Sequence, residues 1–338
     1  MKAVLLAAGK GTRMQGLCDD LPKPLLPVAN RPVLAHTIEQ LEAAGVTDAL
    51  LVIGHQAPLV RSALGQRCGG VRLQYIVQSD PKGTGQATAL AEDFAAGEPF
   101  LMMFGDIATS RHHASGIVRT HAEERPDAVL AVRYFRDPAS GGAVYVDGGR
   151  VVRIVERPQP GETTTHSINA GIFVFPPAIF DLLRQVEVSP RGEYELTDAI
   201  RALVDGGATV RAYGLERFWV NVTDPATYLE AQRELLAEVP CPTPAVPPGV
   251  KLTAPVAIGS RCQLAPCSLG PNASVGDGCT VGAGAQVRDA IVMAGATVGE
   301  GAVVQSAVVG LGAHVAPGTR LVGQPGGPAA VLHHQARA

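Results

Sequence analysis

Short apolar runs alternate with segments of helical periodicity over roughly the first 238 residues. Residues 71–77 (VRLQYIV) alternate apolar and polar positions, as a half-buried strand does. Residues 31–44 instead place Leu34, Ile38 and Leu41 on one helical face. Strands that alternate with helices are typical of βαβ units. The pattern therefore predicts one α/β domain with a mostly parallel sheet.

The same reasoning predicts the individual elements of this domain. Helices are expected at 31–44, 85–95, 178–185, 196–204 and 225–237. Strands are expected at 3–8, 49–53, 71–77, 100–104, 128–134, 143–146, 151–155, 171–175, 209–213 and 218–222.

The pattern changes after residue 238. Residues 239–249 (VPCPTPAVPPG) hold too many prolines for a helix or a central strand and are interpreted as a stiff linker. Beyond it, aliphatic residues separated by glycines and small residues recur every six positions in three runs: Leu269, Val275, Val281 and Val287; Val298 and Val304; and Val309, Val315 and Leu321. A hexapeptide repeat of this kind predicts a parallel β-helix. The expected domains are 1–238, the linker 239–249, a β-helix over 250–322 and a tail over 323–338.

Composition and charge narrow the expected partners. The net charge of −3 provides no broad basic field, so nucleic acid is not an expected partner. The first residues form a short apolar run that does not resemble a signal peptide or a membrane span, so a cytoplasmic location without membrane association is expected.

No C-x-x-C pair occurs, and reduced thiols are expected for the six cysteines, Cys18, Cys68, Cys241, Cys262, Cys267 and Cys279.

In the segment LLAAGKGTRM, residues 5–14, a glycine-rich loop comes directly after the end of the first predicted strand. Such a loop presents backbone N–H groups at the carboxyl edge of a parallel sheet, where ligands bind. Its spacing fits neither a P-loop, since no glycine lies five residues before Gly9, nor a dinucleotide loop, since Met14 stands at the third glycine position. A third interpretation is that Arg13 and Lys23, which lies in a rigid Pro-Lys-Pro, bracket a triphosphate.

These motifs resemble those of the nucleoside-diphosphate-sugar pyrophosphorylases, also called sugar-1-phosphate nucleotidylyltransferases. The resemblance covers residues 1 to about 238 and rests on LLAAGKGTRM, LPKPLLPVANRPVL, GTGQA at 83–87, FGD at 104–106, IVERP at 154–158, INAGIFVF at 168–175 and WVNVTDP at 219–225. It implies a Rossmann-like mixed-sheet nucleotidyltransferase domain followed by a left-handed parallel β-helix. The implied reaction is attack by a sugar 1-phosphate on the α-phosphorus of a nucleoside triphosphate, with UTP or dTTP favoured, and release of pyrophosphate.

The resemblance also implies which residues carry out this reaction. Arg13 would stabilise the pyrophosphate leaving group, and Lys23 would contact the reacting phosphates. Asp106 and Asn221 would hold Mg²⁺, although many family members have an aspartate where this chain has Asn221. A neutral amide leaves that site less negative, so we expect the metal to bind well only together with the triphosphate.

Two further sets of residues are implied by their match to family motifs. The nucleotide-binding set is Ala8, Gly9, Gly11, Thr12, Gln78, Gly83 and Thr84. The sugar-phosphate-binding set is Gly142, Glu156, Arg157, Asn169 and Gly171. Many members have lysine where this chain has Arg157, and the segment MQGLCDD also departs from the family pattern. The base and the sugar therefore stay open.

Two alternatives to a simple transferase remain. One is a regulatory or assembly subunit that binds sugar nucleotides without turnover. The other is a bifunctional enzyme whose repeats add acyl transfer, for which His314, the only histidine within the repeats, would be the general base. The favoured role of the repeats is association of identical chains into a homo-oligomer.

Overall fold

The structure is a computed structural model that describes residues 1–135, 141–159, 161–239, 245–324 and 326–333. Cys241, most of the first half of the expected linker (240–244) and part of the expected tail (325 and 334–338) lie outside the described residues. The chain divides into two compact units. Unit 1 contains Met1–Gly9 and Leu34–Trp219, and unit 2 contains Lys10–Val33 and the chain from Val220 onward.

The helices are α1 (Val33–Ala43), α2 (Ala57–Leu64), α3 (Thr84–Ala89), α4 (Glu92–Ala95), α5 (His112–Glu124), α6 (Ile179–Leu183), α7 (Leu196–Asp205) and α8 (Pro225–Glu238), with a 3₁₀ turn at Lys23–Leu25. The strands before α8 are β1 (Lys2–Ala7), β2 (Pro27–Val28), β3 (Arg31–Pro32), β4 (Asp48–Ile53), β5 (Arg67–Cys68), β6 (Val71–Val77), β7 (Phe100–Phe104), β8 (Ile107–Thr109), β9 (Ala128–Tyr134), β10 (Gly142–Asp147), β11 (Arg150–Glu156), β12 (Ser167–Phe175), β13 (Val210–Gly214) and β14 (Trp219–Asn221). The strands after α8 are β15 (Lys251–Leu252), β16 (Val256–Ile258), β17 (Gln263–Leu264), β18 (Ser268–Leu269), β19 (Ala273–Val275), β20 (Thr280–Val281), β21 (Gln286–Val292), β22 (Thr297–Val298), β23 (Val303–Val309), β24 (His314–Val315), β25 (Arg320–Val322) and β26 (Ala330–Leu332).

Unit 1 is built on a mixed ten-stranded sheet with the order β10-β11-β13-β9-β12-β7-β1-β4-β6-β5. Strands β7, β1, β4 and β6 are parallel neighbours. Strand β12 lies antiparallel between β7 and β9, and β10 and β11 form an antiparallel pair. The sheet is mixed, as the family resemblance implies, and less parallel than the alternation of elements alone predicts.

The core of unit 1 lies between this sheet and the helices α3, α6 and α7. Four phenylalanines stack within it: the Phe100 and Phe180 rings lie 5.4 Å apart, and the Phe173 and Phe175 rings lie 4.8 Å apart. Burial of such large apolar side chains is the main stabilising contribution to a domain of this size. In the described part of the chain, no helix has the length and apolar character needed to cross a membrane.

Two predicted helices differ from those observed. The segment expected to begin a helix at Arg31 forms the short strand β3 instead, and the helix begins at Val33. Strand β3 pairs with β2, which gives the backbone of Arg31 a partner outside the helix. The helix expected at 85–95 is divided into α3 and α4.

Unit 2 contains a domain of short parallel strands, here named the C-terminal strand domain (residues 251–332). Strands β15 to β22 each pair with a strand about 17 residues further along: Val256 lies beside Ala273, and Ala273 beside Ala290. Strand β23 pairs with β25 at the same offset, and with β26 at a longer one. The aliphatic residues of the sixfold pattern are buried in its core, except Leu321, which is half-buried. The pattern therefore identified the inward positions of these strands.

Helix α8 begins with a capping box at Asp224. Its carboxylate accepts hydrogen bonds from the backbone N–H groups of Ala226 (3.0 Å) and Thr227 (2.9 Å), and the Thr227 hydroxyl accepts one from the Asp224 N–H (3.0 Å). Burial opposes ionisation of this carboxyl, but the hydrogen bonds with Thr227, Thr223 and Ala226 together outweigh it and lower the pKa of Asp224. The cap thus stabilises the folded state through the ionised side chain.

We expect Asp224→Ala to lower the free energy of unfolding by about 1 kcal/mol at pH 7, measured from the midpoint of urea denaturation. Asp224→Asn, which keeps an accepting oxygen, is the matched control and should lose less. Because the folded-state pKa is lowered, the benefit of the charge is complete above the unfolded pKa of about 3.9 and is lost as the pH falls through the folded value. A wild-type advantage over Asp224→Asn that grows in acid would contradict this account.

Candidate active site

Four neighbouring strands of unit 1 end at the same edge of the sheet. Ala7 on β1 lies beside Ile53 on β4, which lies beside Val77 on β6, and Leu6 on β1 lies beside Phe104 on β7. The carboxyl edge of parallel strands is where ligands bind in open α/β sheets. The predicted site residues that directly follow these strands are Ala8, Gly9, Gln78 and Asp106.

The strand order also sets how far apart these residues lie. Asp106 follows β7 and Gln78 follows β6, with β1 and β4 between them. At about 4.8 Å per strand, the two positions are roughly 14 Å apart along the edge, and the glycine loop after β1 lies between them. A ligand extended along this edge would meet all three.

The loop after β1 leaves room for such a ligand. A Cβ atom built on Gly9 would meet no described atom within 4 Å outside its chain neighbours. No packing contact among the described residues therefore requires glycine at this position. A ligand that approaches the backbone closely would be a sufficient reason for glycine at this position.

Gln78 is buried and has hydrogen bonds within unit 1. Its side-chain amide nitrogen donates to Gln86 Oε1 at 2.7 Å and to the Gly83 carbonyl at 3.3 Å, while its backbone N–H donates to the Ile53 carbonyl at 2.8 Å. Thr84, at the start of α3, accepts the Leu196 N–H on its hydroxyl at 3.2 Å. These hydrogen bonds hold the side-chain amide of Gln78 in one orientation. Its side-chain carbonyl oxygen is then the atom that could accept a hydrogen bond from a ligand.

A second cluster of predicted residues forms where β10, β11 and β12 meet α7. Thr197 donates its hydroxyl to Glu156 Oε2 at 2.6 Å. A Cβ atom built on Gly142 would lie 3.3 Å from Glu156 Oε2, 3.6 Å from Asn169 Cβ and 3.7 Å from Thr197 Oγ1. The structure thus brings Gly142, Glu156 and Asn169 together, and it adds Thr197 to them.

Two guanidinium groups face the other oxygen of Glu156. Arg157 Nε lies 3.7 Å and Arg191 Nη1 lies 3.8 Å from Glu156 Oε1, and Arg191 also pairs with Glu195 at 3.1 Å. Burial raises the pKa of the Glu195 carboxyl, and the Arg191 guanidinium opposes that rise. The cluster combines hydroxyl-binding groups with two cations, as recognition of a phosphorylated sugar requires.

Gly171 lies in an irregular part of β12. Between Asn169 and Phe173 the register against β9 shifts, and the Gly171 backbone has a φ of +69°. The Asn169 side chain accepts the Gly171 N–H at 2.9 Å. A Cβ atom at Gly171 would lie 2.6 Å from both Phe104 and Ile107 side-chain atoms, so glycine is required there by packing.

The predicted cations Arg13 and Lys23 belong to unit 2. Arg13 is exposed, whereas Lys23 is only 8% exposed and begins the 3₁₀ turn. A Cβ atom built on Gly11 would lie 2.7 Å from Cys18 Sγ and 3.3 Å from Lys23 Cβ, so the loop is closely packed around these residues. Burial raises the pKa of the Cys18 thiol to about 11, against the opposing charge of Lys23. The thiol is therefore neutral at physiological pH.

Asn221, at the end of β14, is a suitable ligand for a hard cation. Its side-chain oxygen is buried and accepts no hydrogen bond from the described residues. A buried carbonyl oxygen without a donor is a group that Mg²⁺ would satisfy. Among the described residues, no group of three or more histidine, cysteine, aspartate or glutamate side chains could hold a metal.

A family model of nucleotidyl transferases matches residues 2–238. The chain belongs to the nucleotidyl transferase family. A second model, of the GMPPB C-terminal domain, matches residues 252–335 of this nucleotidyl transferase.

Individual proteins resemble this nucleotidyl transferase as well. It is 33% identical to a glucose-1-phosphate thymidylyltransferase of Streptomyces antibioticus, over 83% of this chain and 84% of that protein. It is 32% identical to the UTP–glucose-1-phosphate uridylyltransferase AglF of Haloferax volcanii, over 70% of this chain and 98% of that protein. A UDP-glucose pyrophosphorylase solved with UDP-glucose shares the fold, with a TM-score of 0.65 at 19% identity over 70% of this chain and 99% of that one.

Sequence reasoning missed Arg191 and Thr197. Arg191 lies just before the predicted helix 196–204, and Thr197 lies within it; neither is among the predicted site residues. The dense alternation of charged residues before that helix was the available signal. Their contact with Glu156 is formed by tertiary structure over more than 30 residues of chain.

Proposed function

We propose that this nucleotidyl transferase joins a hexose 1-phosphate to UTP or dTTP and releases pyrophosphate and an NDP-sugar. The observation that carries the proposal is the cluster of Glu156, Thr197 and Asn169 beside two arginines, at the sheet that bears the glycine loop. Nucleotidyl transferases bring two polyanions together, so such a site needs cations and hydroxyl ligands more than a proton shuttle.

In the proposed reaction, an oxygen of the sugar phosphate attacks the α-phosphorus in line with the departing pyrophosphate. Arg13 would neutralise charge that develops on the pyrophosphate, and Lys23 would contact the reacting phosphates. The proposal is supported by their place in the motif and by the close packing that holds Lys23. Cations aimed at developing charge accelerate phosphoryl transfer because their position is established before the reaction.

The nucleoside would be read by the segment around Gln78. With its amide nitrogen held by Gln86 and Gly83, the Gln78 carbonyl oxygen would accept the N3–H of uracil or thymine. Gly83 and Thr84 would add backbone groups, and the loop of Ala8, Gly9, Gly11 and Thr12 would lie along the phosphates. A cytosine has no N3–H to donate, so this contact favours uridine or thymidine nucleotides.

The sugar phosphate would bind at the Glu156 cluster. The carboxylate would accept a sugar hydroxyl, Asn169 would accept or donate a second hydrogen bond, and the phosphate would lie against Arg157 and Arg191. Gly142 leaves the space that the ring occupies, because any side chain there would lie against Glu156 and Thr197.

We propose that Asp106 and Asn221 hold Mg²⁺ together with phosphate oxygens of the nucleotide. The ion, when bound, would neutralise the phosphates and orient the α-phosphate. The proposal is supported by the buried, undonated oxygen of Asn221. A site with one carboxylate and one amide is expected to bind Mg²⁺ weakly until the triphosphate adds its own oxygens.

Chelation of divalent cations is therefore expected to abolish pyrophosphate release. Asn221→Asp adds a carboxylate and should tighten binding of Mg²⁺ alone by about tenfold, measured by calorimetry without nucleotide. Gln263→Glu adds the same charge on an exposed strand position and is the control. Equal Mg²⁺ affinity in Asn221→Asp and Gln263→Glu would remove Asn221 from the metal site.

We further propose that the C-terminal strand domain is a left-handed parallel β-helix through which identical chains associate. The pairing offset of about 17 residues supports this, because it is close to the length of three hexapeptides, which complete one coil. His314 is exposed on β24, and no contact among the described residues favours acyl transfer there. The domain limits 1–238, 239–249, 250–322 and 323–338 and the cytoplasmic location stay predictions.

The proposed function is tested by a substrate panel. Each of UTP, dTTP, CTP, GTP and ATP is supplied with Mg²⁺ and a set of hexose 1-phosphates, and pyrophosphate is measured. We expect release with UTP or dTTP and little with the purine nucleotides. Absence of release with every pair, together with binding of a nucleotide sugar, would instead identify a regulatory subunit.

A further inference from the structure

The segment that carries Arg13 and Lys23 lies in the same compact unit as the C-terminal strand domain. We name residues 11–19 the cation loop. Its backbone forms two successive hydrogen-bonded turns. The Met14 N–H donates to the Gly11 carbonyl at 3.0 Å, and the Leu17 N–H donates to the Met14 carbonyl at 3.1 Å. These hydrogen bonds connect Leu17, through Met14, to the turn that contains Arg13.

Leu17 packs against the end of the C-terminal strand domain. Gly310, directly after β23, donates its N–H to the Leu332 carbonyl at 2.7 Å. A Cβ atom built on Gly310 would lie 3.2 Å from His333 Cα and 3.6 Å from Leu17 Cδ2. Leu17 itself is 5% exposed. The last described strand and the cation loop thus meet at one buried point.

His333 extends this contact to the neighbouring residue of the loop. Gly16 has a φ of +82°, and a Cβ atom built on it would lie 3.3 Å from His333 Cδ2 and 3.4 Å from His333 Cγ. The imidazole ring therefore lies directly over the Gly16 backbone. Both the turn geometry and the ring exclude a side chain at this position.

The chain beyond the cation loop is attached to unit 2 at other points. The Asn30 side-chain amide donates to the Val275 carbonyl at 2.9 Å. The fully buried Tyr228 on α8 donates its hydroxyl to the Pro27 carbonyl at 2.6 Å. Lys23 lies between these attachments and the His333 contact, so both flanks of its segment are held.

We propose that His333, which directly follows strand β26, is a positioning residue: it holds the backbone of the cation loop so that the side chains of Arg13 and Lys23 are correctly placed. This inference rests on the proposed function, since it assigns those two cations to the triphosphate. The ring of His333 holds the Gly16–Leu17 turn, and the turn holds the backbone from which Arg13 extends. Small displacements of a catalytic group lower the rate steeply, because charge stabilisation depends on a fixed geometry.

The test compares His333→Ala with His333→Phe in the full chain. The alanine variant removes the ring from Gly16 and should raise KM for the nucleoside triphosphate and lower kcat/KM by about tenfold, with KM for the sugar phosphate unchanged. Phenylalanine keeps an aromatic ring over Gly16 and should restore most of the activity. His112→Ala, at the exposed start of α5, is the matched control and should behave as wild type.

Hydrogen exchange at the Met14 and Leu17 amides provides a measurement that does not need activity. Both amides should exchange faster in His333→Ala than in wild type, while the thermal midpoint stays unchanged. If wild type releases no pyrophosphate with any substrate pair, the proposed function fails, and the exchange rates alone decide the positioning role. Unchanged exchange at both amides, or unchanged kcat/KM in an active enzyme, would overturn the inference.

Discussion

Replacing Lys23 with alanine is expected to lower kcat/KM for pyrophosphate formation by about 10²–10³-fold. Lys23 is buried in a Pro-Lys-Pro turn with its Cβ close to Gly11, so its side chain would need little reorganisation on binding a triphosphate. Loss of a preorganised cation removes stabilisation of the transition state and is not compensated by water. Steady-state kinetics with varied nucleotide and saturating sugar phosphate measure the effect.

The control for Lys23→Ala is Lys251→Ala, which removes an exposed lysine of the same unit and should leave the kinetics unchanged. Thermal unfolding of both variants shows whether the fold is kept. Lys23→Arg keeps the charge with a different shape and should retain an intermediate activity. If folded Lys23→Ala keeps most of its kcat/KM, this residue has no part in the mechanism.

Replacing Glu156 with alanine is expected to raise KM for the sugar 1-phosphate by roughly 10–100-fold, with KM for the nucleotide unchanged. The carboxylate is oriented by the Thr197 hydroxyl and lies near two guanidinium groups. Hydrogen bonds to a charged group contribute about 1.5–3 kcal/mol, which corresponds to this range of affinity. Measurement of both KM values separates the sugar site from the nucleotide site.

Two further variants sharpen the Glu156 experiment. Thr197→Val removes the hydroxyl that orients Glu156 and should raise the same KM by a smaller factor, since the carboxylate remains. Glu187→Ala removes an exposed carboxylate near α6 and should change neither KM. A rise in the nucleotide KM that equals the rise in the sugar KM would show that Glu156 does not act at a separate sugar site.

Much of unit 1 could be predicted because its strands are short, apolar and separated by polar segments. Strands β6 and β7 were predicted with the residue limits observed. Helix α5 was not predicted, because its sequence HHASGIVRTHAEE is rich in histidine and polar residues and buries only a short stretch around Ala114 and Ile117. A weak apolar stripe provides little periodic signal even where a helix is long.

The repeats illustrate the opposite case. Their sixfold pattern identified inward residues such as Val275 and Val298 correctly, because every repeat imposes the same requirement for one small buried aliphatic side chain. The pattern contains no information on what the strand domain contacts elsewhere. The approach of Leu17 and Gly16 to Gly310 and His333 follows from packing across nearly the whole length of the chain.

In the candidate site, too, some residues could be predicted from local sequence and others depend on long-range packing. The motifs identified Gly142, Glu156 and Asn169, whose proximity in the structure follows from strand pairing. Arg191 and Thr197 could not be assigned, since Thr197 on α7 and Arg191 in the segment before it reach Glu156 through tertiary packing rather than through a local pattern. Local sequence therefore predicts strand-borne site residues better than those contributed by an adjoining helix or loop.

The most direct test of the proposed function is the stoichiometry of the products. The purified chain is incubated with Mg²⁺, either UTP or dTTP, and each of a set of hexose 1-phosphates, and the phosphorus-containing products are followed by nuclear magnetic resonance. The account predicts that an NDP-sugar and pyrophosphate form in equal amounts in at least one of these mixtures. Orthophosphate with a nucleoside diphosphate, or no product from either nucleotide, would contradict it.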